Sequence, residues 1–119
     1  MKAILIDVVN KEVREVEVVN NDGSNLDSIY GHIGCELIDV VGIDQKNDVY
    51  VDDEGLLNLT PNSMFFELKG FPNPLAGNGL VMGIDRETGE SVDTTLTVDD
   101  VKKRIRFLSY YDVAVGNLN

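Results

Sequence analysis

Residues 11–19 read KEVREVEVV. Val13, Val16 and Val18 alternate almost strictly with Arg14, Glu15 and Glu17, the pattern of a pleated strand with one wet face. The stretch before it, KAILIDVV, is equally rich in β-branched and aliphatic residues, and only Asn10 separates the two. Two such runs in direct succession have little choice but to pair as a hairpin, so the chain starts from antiparallel sheet.

The rest of the sequence extends that theme. NNDGS at Asn20 to Ser24 is a turn by composition. A helix over about 25–33 follows: Ser24 or Asn25 can cap it, and Asp27 suits its positive end. Leu26, Ile29, Tyr30 and Ile33 recur at helical spacing, and Gly34 stops it. CELIDVVGI and DVYVDD, joined by Asp44 to Asp48, read as a second hairpin. EGLLNLTPNSMFFEL admits a strand end or a helical turn at Leu56–Leu57, and Pro61 bars one continuous element. KGFPNPLAGNG is loop, LVMGID an apolar strand, RETGE a tight turn, and SVDTTLTV an extended return. Thr97, Asp99 and Asp100 open a second helix over about 98–110, with Val98, Val101, Ile105 and Leu108 as its stripe. VAVGNLN, at the end, reads as a strand or a tail.

Hairpins outnumber helices, which predicts an α+β fold. It would hold a mostly antiparallel sheet of about five to seven strands, with two helices packed on one face. The 119 residues fit one domain, 1–119, large enough to bury a core unaided. The lone Cys35 leaves no internal disulfide and fits a reducing cytoplasm. Met1 to Asn10 reads as a strand and not a signal peptide, and no stretch has the length of a membrane helix. The net charge is −11, with 13 acids against 4 bases in residues 1–60 and 8 against 6 in residues 61–119. So acidic a chain repels nucleic acid and anionic lipid on average; the charge speaks first to solubility, with a basic protein partner as the functional reading beside it.

PLAGNGLVMG, from Pro74 to Gly83, suggests a phosphate loop, but no lysine follows it and its glycines precede a strand rather than a helix. A turn is the better reading, with an anion nest of backbone amides around Gly77, Asn78 and Gly79 as the narrower functional one. Asp52, Asp53 and Glu54 form a carboxylate run without calcium-loop spacing. His32 and Cys35 would be half of a zinc site with no second Cys or His to complete it. They fit better as a helix-end histidine and a small buried residue. Lys102, Lys103, Arg104 and Arg106 are the one positive cluster, expected on a solvated helix face and able in principle to hold a phosphate. No Ser-His-Asp or His-Glu-x-x-His pattern is present.

MKAILID before a charged strand, YVDDEGLL, and PLAGNGLVMGID with TGES and a Thr-capped helix after it resemble the domain of unknown function 3846 family. These are small proteins of phages and bacterial mobile elements. The resemblance runs from Met1 to about Phe107 and carries no catalytic residues. It implies a cytoplasmic accessory protein, for instance in counter-defence. The expectation is therefore a non-enzymatic binding protein with no metal and no cofactor. It would act on a host protein through Glu15, Glu17, Asp52, Asp53 and Glu54, an acidic surface able to mimic DNA phosphates. The alternative is a binder of a small nucleotide signal, using Gly77, Asn78, Gly79, Lys102 and Arg106. An enzyme with a metal at Asp52–Glu54 ranks lowest, and self-association through VAVGNL is a further possibility.

Overall fold

The computed structural model describes residues 1–57 and 59–116. The elements in chain order are β1 (Lys2–Asp7), β2 (Glu12–Glu17), α1 (Leu26–Ile33), β3 (Ile38–Gly42), β4 (Asn47–Asp52), β5 (Met64–Leu68), β6 (Leu75–Ala76), β7 (Gly79–Ile84), β8 (Ser91–Val92), α2 (Val98–Lys102), β9 (Ile105–Ser109) and α3 (Tyr110–Gly116). Among the described residues no helix is long and apolar enough to cross a membrane.

The chain is α+β, and its strands pair antiparallel throughout. The large sheet has six strands: β2-β1-β7-β4-β3 in order, with β8 added against β7. Both expected hairpins, β1–β2 and β3–β4, lie in it. β7 sits at its centre, and Leu80, Val81 and Met82 are fully buried. A strand covered on both faces reads as a continuous apolar run, which is why LVMG does not alternate. A second sheet of three strands, β6-β5-β9, was not anticipated.

The large sheet separates two cores. On one face Ala3, Leu5, Leu80 and Met82 pack with Ile29 and Ile33 of α1. On the other, Ile4, Ile6, Val49 and Val81 pack with Phe66 and Leu68 of the small sheet and Val101 of α2. The two helices thus cover opposite faces, correcting the expectation of one helical face. At nearly every position of β1 the side chain is buried on one side or the other.

α1 matches its predicted span and ends at Gly34 in the left-handed conformation. The second helix does not. Thr97 and Asp100 form the reciprocal capping box, with bonds of 2.9 and 3.1 Å, but α2 ends at Lys102. From Ile105 the chain is strand, not helix to 110. Ile105 pairs with Leu68 and Phe107 with Phe66, and both pack against the inner core. Five paired residues of β5 outweigh a helical preference that was never strong in Ile-Arg-Phe. Ile105 and Leu108 therefore belong to a strand, not to a helical stripe. The segment after it also differs: Val113 to Gly116 lies in α3, which Ser109 and Asp112 cap through bonds of 2.9 and 3.1 Å. The self-association strand proposed for VAVGNL is helical as far as Gly116, and its remainder lies outside the described residues.

Candidate functional site

The glycine-rich stretch is a crossover between the sheets. Leu75 and Ala76 end the small sheet, Gly79 starts the central strand of the large one, and only Gly77 and Asn78 lie between. Gly77 takes φ +83°, a left-handed value costly for any residue with a Cβ. At Gly79 the constraint is space, because a Cβ there would lie 2.7 Å from the Phe66 ring. Asn78 ties the turn down: its side-chain oxygen accepts the Val8 N–H at 3.0 Å, and its Nδ2 reaches the His32 carbonyl at 3.5 Å. These groups are spent on holding β1 and α1 to the crossover.

The same crossover forms one wall of a groove of about 330 Å³. The ends of β1, α1 and β4 and the start of β5 meet there. Asp52 and Glu54 line it together with Gly77 and Asn78, and Val9, Asn62 and Ser63 complete the lining. The Asp52 carboxylate accepts the Glu54 N–H at 2.9 Å, so the acidic run folds back on itself as a tight turn. Asp52 is half-buried, while Asp53 and Glu54 are exposed. No Lys or Arg is among the residues lining this groove. Val9 of the lining is 77% exposed, and Leu56 and Leu57, which follow the lining residue Gly55 in the chain, are 61% and 75% exposed. Two stretches that looked unrelated in the sequence, the carboxylate run and the glycine turn, are thus brought together.

The other acids are not brought in. Glu15 pairs with Ile4 and Glu17 with Lys2, so both share the sheet face carrying the small sheet. Asp52 pairs with Ile38 and shares the α1 face. β1 and β7 also intervene between β2 and β4, a lateral gap of about 14 Å. Glu17 is further occupied by an ion pair with the Met1 ammonium. The five expected acids do not form one surface.

Nor do the basic residues reach the glycine turn. β6 and β9 are opposite edges of the small sheet, the turn following one and Arg106 lying on the other. Arg106 pairs with Glu67 at 2.7 Å, and Lys102 is exposed on α2. The anion site assembled from Gly77, Asn78, Gly79, Lys102 and Arg106 has no counterpart in the geometry.

His32 and Cys35 are structural. The His32 Nε2–H donates to the Glu17 carbonyl at 2.9 Å, joining α1 to β2. Burial and the nearby Asp52 carboxylate push the Cys35 thiol above its ordinary value, which lowers its thiolate population and its reactivity. Among the described residues no group of three or more His, Cys, Asp or Glu side chains is placed to hold a metal ion.

Sequence reasoning missed three polar anchors. Asn47 is fully buried and bonds Asp44, Thr94 and Thr95 at 2.6 to 3.2 Å, pinning the approach to α2 onto the β3–β4 hairpin. Arg86 grips the same hairpin, donating to Asp48 at 2.9 Å and to the carbonyls of Asp44 and Gln45. The buried Asp7 is the third such anchor. The Arg14 guanidinium, 2.8 Å away, holds its carboxyl at about 2 against the opposing effect of burial, helped by Asn10.

Architecture and groove together define a two-sheet α+β protein with a concave, carboxylate-lined end. The chain belongs to the family described as Domain of unknown function (DUF3846), which it matches over residues 1–106. It is also similar to "Uncharacterized protein y4iR" of Sinorhizobium fredii (strain NBRC 101917 / NGR234). The two are 34% identical over 76 residues, 63% of this chain and 44% of that protein. The chain therefore spans less than half the length of this relative. No solved structure matches it.

Proposed function

We propose that the chain is a non-enzymatic accessory binding protein of a phage or bacterial mobile element, acting in the host cytoplasm. Its binding site is the groove beside Asp52 and Glu54, and its ligand is a cationic, partly apolar segment of a host protein. The observation that carries this reading is the composition of the groove: two carboxylates, no cation among the lining residues, and the exposed Val9, with exposed Leu56 and Leu57 next in the chain after Gly55 of the lining. A lysine or arginine with apolar neighbours satisfies both features, because the carboxylates supply charge-assisted bonds and the exposed aliphatic side chains supply area. The expected acidic surface is thereby narrowed to the groove. Glu15 and Glu17 point elsewhere, so wide mimicry of a DNA backbone by these five acids is not what the groove supports.

Affinity capture of host-cell proteins tests it. The Asp52→Asn/Glu54→Gln double variant should lose the partner that the unaltered chain retains, and raised salt should elute it. Capture unaffected by both changes would remove the reading.

A further inference from the structure

Half of the ten basic residues of this acidic chain, Lys69, Lys102, Lys103, Arg104 and Arg106, gather where α2 turns into β9 beside the end of β5. The gathering is fixed by backbone: the Lys69 N–H donates to the Arg104 carbonyl at 2.8 Å, extending the β5–β9 ladder. It sets Lys69, separated from the others in sequence, among them. Two adjoining hollows of about 370 and 170 Å³ result, and Lys69, Lys103 and Arg104 line both.

The acids nearby are largely committed. Asp100 accepts the Thr97 N–H in the helix cap, and that bond holds its carboxyl below the ordinary range. Glu67 pairs with Arg106 at 2.7 Å. Arg104 reaches Asp44 only at 3.7 Å, both groups being about one-third exposed. Among the described residues, no carboxylate lies within ion-pairing distance of Lys69 or Lys103.

We propose that Lys69, Lys103 and Arg104 form a binding site for a compact phosphate dianion, the phosphomonoester group of a small molecule. Three donors of positive charge around a hollow match a phosphate's charge and its three outward oxygens. Arg104 exchanges a long, partly exposed ion pair for a bidentate one, and the two lysines gain a counter-ion. The site suits a single phosphate and not a nucleic-acid strand. A strand needs cations at successive phosphate spacings, and here Asp44, Glu67 and Asp100 flank the hollow while the whole molecule carries −11. The site lies apart from the carboxylate groove and shares no residue with it.

The test is an amide NMR titration with inorganic phosphate, a sugar phosphate and a nucleoside monophosphate, with ionic strength held constant by sodium chloride. Saturable shifts centred on Lys69, Lys103 and Arg104 are expected. Equal affinities would assign the site to free phosphate, and a tighter ester would assign it to an organic phosphomonoester. Lys69→Gln/Lys103→Gln should weaken binding at least about tenfold while the amides of β7 keep their positions, and Lys46→Gln should change nothing. The proposal is overturned by shifts that do not saturate, by binding that survives the double variant, or by a single-stranded oligonucleotide that binds more tightly than every monophosphate.

Discussion

Asn78 accepts the backbone N–H of Val8 through its side-chain oxygen at 3.0 Å. With that one bond the crossover between the sheets fastens the end of β1 and fixes one wall of the carboxylate groove. Asn78→Ala leaves the Val8 N–H without this partner beside the groove, and should cost about 1–2 kcal/mol. Urea unfolding measures the loss, and faster hydrogen exchange at Val8 locates it. Unchanged stability with unchanged exchange would show that water replaces Asn78 without penalty.

Gly79 faces a steric limit. The Phe66 ring fills the space a Cβ would need, so Gly79→Ala should destabilise by roughly 1–3 kcal/mol through overpacking. Phe66→Leu removes the blocking ring atoms at its own cost. In the double variant the two costs should sum to less than their separate values, since the clash is shared. Strict additivity in denaturation would refute the contact.

Asn47 should be the most sensitive polar position. Alanine there strips the buried Thr94 hydroxyl and the Thr95 N–H of their shared acceptor. A loss of about 2–4 kcal/mol is expected, against less than about 0.5 for Lys46→Ala on the same turn. Thermal melts of the two variants side by side check this.

Asp7 gives the fold an acid limit. Its folded-state pKa is depressed to about 2 by Arg14 and Asn10. A depressed carboxylate contributes stability that is full above its unfolded pKa and is lost as pH falls through the folded one. The contribution, on the order of 1–2 kcal/mol, should therefore vanish between about pH 4 and pH 2. Asp7→Asn should flatten that part of the stability curve and leave the chain weaker near neutrality. A variant with the same acid limb as the unaltered chain would assign the acid sensitivity elsewhere.

How far the sequence could be read depended on how local each decision was. The β1–β2 hairpin, the Gly34 stop and the Thr97 cap are settled within a few residues, and each appears where its pattern puts it. The stretch after Lys102 is different. Ile105 and Leu108 continue a helical spacing, while Ile105 and Phe107 also alternate as a strand does. The choice between them is made by β5, a distant partner. The candidate sites follow the same rule. Asp52 and Asn78 are each visible as single features, but their meeting requires the small sheet, which the ambiguous MFFEL segment hid. Lys69 looked like loop, and only the β5–β9 ladder carries it to Arg104.

On the proposed function, Asp52 and Glu54 face the partner, and Glu15 and Glu17 do not. Capture from host extract with Asp52→Asn/Glu54→Gln and with Glu15→Gln/Glu17→Gln, at matched stability, separates the two directly. The groove variant should retain about tenfold less partner than the unaltered chain, and the β2 variant as much as the unaltered chain. Loss of the partner from the β2 variant with retention by the groove variant would contradict the account.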